Sequence, residues 1–63
     1  MKSGDQVYTP RFCTVRIQEV FETAKEACAE GYTEPTHYDN DPEYTIQGKH
    51  TGLNRMKFAA IRK

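Results

Sequence analysis

The stretch TAKEACAEGY, residues 23–32, narrows the fold more than any other part of the chain. Thr23 followed three residues later by Glu26 is a capping box, in which hydroxyl and carboxylate satisfy backbone donors that a helix start leaves unpaired. Gly31 is placed for a left-handed C-terminal cap, with Tyr32 folding back onto Ala27 as the apolar contact of a Schellman turn. Start and stop lie so close that the helix spans 23–30, about two turns. Ala24, Ala27 and Cys28 share one face of it, small side chains suited to close packing on a sheet, whereas Glu22, Glu26 and Glu30 share the other. Like charges four residues apart disfavour such a helix in isolation, so packing must hold it.

Strand patterns flank this helix. From Phe12 the chain alternates, with Cys13, Val15 and Ile17 on one side and Thr14, Arg16 and Gln18 on the other, which predicts a half-buried strand over 12–21. Glu19 breaks the alternation, and a bulge there would return Val20 to the core side. Strand character resumes at Tyr44 and runs to His50; HTGLNR then supplies a hairpin turn, and residues 55–62 return with Met56, Phe58 and Ala60 inward. Residues 1–6 read as a loose arm, although GDQVY resembles the opening strand of small SH3-like barrels. Residues 31–43, bracketed by Pro35 and Pro42, read as a loop.

The expected fold is therefore a single α+β domain of β-α-β-β order. A right-handed crossover makes the first two strands parallel, and the third fits between them to give the order 1-3-2, with the helix over Phe58. The open face of that sheet would carry Thr14, Arg16, Gln18, Thr45, Gln47, Lys49, Arg55, Lys57, Ala59 and Ile61.

With 63 residues the chain makes one small domain, from whose core a deep pocket is hard to carve. It has only two cysteines, Cys13 and Cys28, in no CxxC spacing. No apolar run approaches the roughly 18 residues of a membrane span, and MKSGDQVY lacks the apolar core of a signal peptide, so a cytoplasmic protein with reduced thiols is expected. The formal net charge is zero, but the charges are sorted along the chain. Between residues 19 and 43 there are eight carboxylates against Lys25, and from residue 44 onward there is no aspartate or glutamate, only Lys49, Arg55, Lys57, Arg62 and Lys63.

Both histidines and three of the four tyrosines fall in residues 31–50. Asp39, Asp41 and Glu43 alternate as the ligands of a calcium loop do, but the sixth and twelfth positions, where that loop needs glycine and glutamate, are Tyr44 and His50. Cys13, Cys28, His37 and His50 would supply four zinc ligands, yet no two have the spacing of a finger or ribbon. No metal and no cofactor is implied. Cys28, among alanines and acidic neighbours, lacks the electropositive setting of a reactive thiolate, and the reading is of a non-enzyme. Tyr32 and Tyr44 read as cover for the core, and Tyr38 as the exposed ring of a contact loop with Asp39.

Two functions follow from the charge pattern. In the first, the chain is a non-enzymatic protein-binding module whose acidic row, Glu22, Glu26 and Glu30, mimics nucleic-acid phosphates and occupies a basic surface of a nucleic-acid-handling protein, with Tyr38, Asp39 and Leu53 as further contacts. In style it resembles compact inhibitors encoded by phages and other mobile elements. In the second, the chain binds nucleic acid itself, through Arg16, Lys49, Arg55 and Lys57 on the sheet and hairpin. Against the second stands the expectation of no aromatic ring on that face to stack bases. The opposite charges of the two faces would also let neighbouring copies stack into a homo-oligomer.

Overall fold

A computed structural model describes all residues, Met1–Lys63, and replaces the expected three-stranded sheet by five strands and one short helix. The elements are β1 (Gln6–Thr9), β2 (Cys13–Phe21), α1 (Ala24–Ala29), β3 (Glu34–Pro35), β4 (Tyr44–Gly52) and β5 (Arg55–Arg62). They form one mixed sheet in the order β1-β2-β5-β4-β3, curled into a half-barrel, which overturns the order 1-3-2 with a helix over its core face. β2 and β5 run parallel from Ile17↔Phe58 to Phe21↔Ile61, and the other neighbours are antiparallel.

The two added strands lie at the edges. Of residues 1–6, expected as a loose arm, Gln6 opens β1 and the rest form a turn in which Lys2 N–H donates to Asp5 Oδ2 at 2.9 Å, tied to β2 by Gly4 N–H to Ile17 O at 2.7 Å. β1 follows, pairing Val7 with Val15 and Tyr8 with Thr14. At the far edge, β3 pairs Glu34 with Gly48 and Pro35 with Gln47, an edge position where a residue without an N–H is tolerated. Arg11, in the loop after β1, reaches round to β3: its Nη1 lies 2.7 Å from Glu34 Oε1 and donates to Pro35 O at 3.3 Å. That contact joins the loop after β1 to the opposite edge of the sheet.

Curling buries the concave side without the helix. Val15, Ile17, Ile46 and Ala60 form its core, flanked by half-buried Met1, Val7, Phe12, Val20, Tyr38, Tyr44 and Phe58. The helix sits on the convex side instead, where Ala27 and Tyr32 pack with Ala59 and Ile61. Ala59 and Ile61, expected on the open face, are thus fully covered, and Phe58 has no helix over it. Of the three small helix residues expected to be buried, only Ala27 is; Ala24 and Cys28 are exposed, because the helix touches the sheet through a single turn.

The helix ends obey local chemistry. Thr23 Oγ1 accepts from Glu26 N–H at 3.2 Å. At the other end Gly31 has φ +95°, with Tyr32 N–H donating to Ala27 O at 2.9 Å and Gly31 N–H to Cys28 O at 3.0 Å, the paired bonds of a Schellman turn. The turn drops the Tyr32 ring onto the sheet, where it is 1% exposed and stacks at a tilt on Phe21, ring centroids 5.5 Å apart.

Candidate functional site

β2 and β5 pair only from Ile17 and Phe58 onward, and toward the hairpin they part. The gap is an open cleft of about 680 Å³. Its floor is apolar, built from Phe12, Val15, Met56 and Phe58, with the Phe12 and Phe58 rings 5.2 Å apart at a tilt of 58°. Its rim is polar and cationic: Thr14, Arg16 and Gln18 from β2, and His50, Asn54 and Arg55 from the β4–β5 hairpin. No carboxylate lines it. The cleft is an open groove between diverging strands and not a deep pocket carved from the core.

Backbone geometry sets each wall. Thr9 Oγ1 accepts from Phe12 N–H at 3.1 Å and donates to Cys13 O at 3.0 Å, closing the β1–β2 turn so that Phe12 points into the barrel mouth. Cys13 follows with φ +61°, a left-handed conformation that re-aims the chain into β2. Opposite, Phe58 lies across Gly48 of β4: a Cβ at Gly48 would meet Met56 Cε and Phe58 Cε1 at 2.9 Å. Only glycine at that position lets both floor residues lie flat. Asn54, with φ +59°, forms the hairpin tip beside Leu53, which is 94% exposed.

The structure divides the four bases expected to act together. Arg16 and Arg55 line the cleft, both exposed and outside any ion pair. Lys57 is exposed and alternates with the floor residues Met56 and Phe58, so it faces the convex side. Lys49, its cross-strand partner, bends away to the helix, with Nζ 4.7 Å from the Tyr32 ring centre and donating to Glu30 O at 3.3 Å. Phe12 and Phe58 lie on the concave side, Phe58 as expected, and not on the face that carries Lys57, but the parting of β2 and β5 lets both rings line the same cleft as Arg16 and Arg55. Phe12 had been read only as the start of a strand, and its reach depends on the β1–β2 turn, which carries no strong periodic signal.

Of the other expected contacts, Glu22, Glu26, Glu30, Asp39 and Leu53 are exposed, and Tyr38 is not the free ring it was taken for. It is half-buried against the concave core. The exposed tyrosine is Tyr8, at 61%. The convex end has one shifted acidity: burial, then the charges of Glu19 and Glu30, raises the Tyr32 phenol above its usual value. No three cysteine, histidine or carboxylate side chains converge as a metal set. No helix is long and apolar enough to cross a membrane.

Compared with protein-family models, curated proteins and solved structures, the chain matches none.

Proposed function

We propose that the protein is a nucleic-acid-binding module that takes a single strand into the cleft between β2 and β5. One observation carries this reading: two unpaired guanidiniums, Arg16 and Arg55, flank two aromatic rings in a cleft free of carboxylates. Guanidiniums neutralise phosphate and rings stack bases, and single strands are the form whose bases are free to stack. On this reading the cleft works by binding, with His50 as a further polar residue of its rim. The same reading puts the protein in the cytoplasm, in keeping with two exposed, unpaired cysteines.

A second reading is favoured by a different observation: Glu22, Glu26 and Glu30 are all exposed and none is in an ion pair. On that reading the chain is a non-enzymatic inhibitor whose acidic row occupies a basic protein surface. Titration of a labelled single-stranded octanucleotide at two salt concentrations separates the two. The cleft reading expects Arg16→Gln with Arg55→Gln to weaken binding and to flatten the log–log salt dependence by roughly 1.4, that is about 0.7 for each lost phosphate contact. Reversal of Glu22, Glu26 and Glu30 to lysine should leave binding intact or strengthen it. An octanucleotide that fails to bind the unmodified chain refutes the cleft reading and leaves the acidic row as the contact surface to test.

A further inference from the structure

We infer that Tyr8 stacks a second base, next to the one held in the cleft, so that the site spans at least two consecutive nucleotides and the strand crosses the sheet from β5 toward β1. This rests on the single-strand reading of the cleft and extends it to a residue outside the lining.

Tyr8 stands out because nothing in the fold uses it. Its neighbours Val7 and Thr9 turn toward the concave side, where Val7 packs on the core and Thr9 is fully buried. Tyr8 points the other way and is 61% exposed. Its ring joins no aromatic pair and no cation–π contact, and its hydroxyl makes no hydrogen bond within the protein. A free ring on a short edge strand costs exposed apolar area and returns no packing.

Its position gives the ring a use. Tyr8 is the cross-strand partner of Thr14, and Gln6 that of Arg16. Cross-strand partners share a face, so Tyr8 projects on the same side as Thr14 and Arg16, two of the residues that β2 contributes to the cleft. Adjacent strands lie about 4.8 Å apart, which puts the ring one strand beyond that wall. Arg16 is the diagonal neighbour of Tyr8, about 7 to 8 Å away in such ladders and within reach of long side chains. A phosphate joining a base in the cleft to a base on Tyr8 therefore falls beside the Arg16 guanidinium. The Phe12 and Phe58 rings belong to the concave side, but Thr14, Arg16 and Gln18 line the same cleft. Its opening between β2 and β5 thus reaches the face that carries Tyr8, and ring, cation and cleft mouth follow one another across the strands.

The test uses the full chain, with anisotropy titrations of labelled octathymidylate, octauridylate and a thymidine mononucleotide. Tyr8→Ala should bind both octamers about fivefold more weakly or worse, the loss expected on removing one stacked base, while its affinity for the mononucleotide changes little. Tyr8→Phe should restore octamer binding, because the ring and not the hydroxyl stacks. Tyr8→Trp introduces the sole tryptophan of the chain, and its fluorescence should be quenched when an octamer is added. A thermal melt of each variant shows that the fold is kept. If the unmodified chain binds the octamers and Tyr8→Ala binds them equally well, the inference is overturned and the cleft reading stands. If neither octamer binds the unmodified chain, both fall. Unequal effects on DNA and RNA would assign the preferred strand and still support the inference.

Discussion

The same two strands, β2 and β5, behave differently at their two ends. At the helix end they are zipped in parallel, with Gln18 left over as a bulge between Ile17 and Glu19, and both faces are covered: Val20 and Ala60 lie on the concave side, Ile61 under the helix on the convex. At the hairpin end the ladder stops, the strands part, and half-buried rings and free guanidiniums line the opening. The carboxylates Glu19, Glu22, Glu26 and Glu30 gather at or near the zipped end, whereas Arg16 and Arg55 border the open one. The difference teaches that, on the proposed reading, stability and recognition fall on different lengths of one strand pair. Substitutions should therefore separate them.

The largest effect is expected at the zipped end. Ile61 is 1% exposed between the helix and the sheet, so Ile61→Ala should cost about 2 to 5 kcal/mol, much of the stability of a small domain. Arg16→Gln and Arg55→Gln, on exposed side chains, should each stay within about 0.5 kcal/mol of the original while weakening oligonucleotide binding. Urea unfolding of the three variants checks this; an Ile61→Ala midpoint close to the original would erase the distinction between the ends. An intermediate effect is expected at Gly48→Ala, where the new methyl meets Met56 and Phe58 at 2.9 Å. The overpacking should cost about 1 to 3 kcal/mol and, by displacing the cleft floor, lower oligonucleotide affinity as well. Loss of stability with unchanged binding would show that the rings take no part.

The smallest effect depends on pH. Burial raises the Tyr32 phenol, with Glu19 and Glu30 adding to the shift, so the folded state keeps a proton that the unfolded chain loses near its ordinary value of about 10. This contribution is complete below about pH 10 and is lost as the pH rises through the folded value. Tyr32→Phe has no proton to lose. Between about pH 9 and about pH 11 the original chain should lose more stability than the variant, measured as the shift in urea midpoint. Equal shifts would place the phenol in water and not under the helix.

What was legible in the sequence is what is settled within a few residues. The helix caps are an example: Thr23 bonds to Glu26 and Tyr32 to Ala27, so both ends are written in neighbouring side chains. The face that the helix covers was not legible, because that depends on how the sheet curls. One signal pointed to it. Phe58, Ala59, Ala60 and Ile61 form an unbroken apolar run, as a strand covered on both sides requires, yet the strand was read as alternating. β1 and β3, four and two residues long, are too short to show a period of two. Within the site, Arg16 and Arg55 could be picked out by charge alone. Phe12 and Tyr8 could not, since their roles rest on the β1–β2 turn and on the point where β2 leaves β5.

Because β5 is the central strand and also the last strand in chain order, the sheet has no middle until residues 55–62 arrive. β1 and β2 can form their hairpin from neighbouring residues, but the partner of Ile17 is Phe58, some forty residues later in the chain. Until then the inner edge of β2 is an unpaired row of backbone groups, and Val15 and Ile17 have nothing to cover them. Folding is accordingly a late, single event that closes a long loop, slower than its size alone suggests. The two hairpins must therefore find each other before the edge of β2 meets a neighbouring copy.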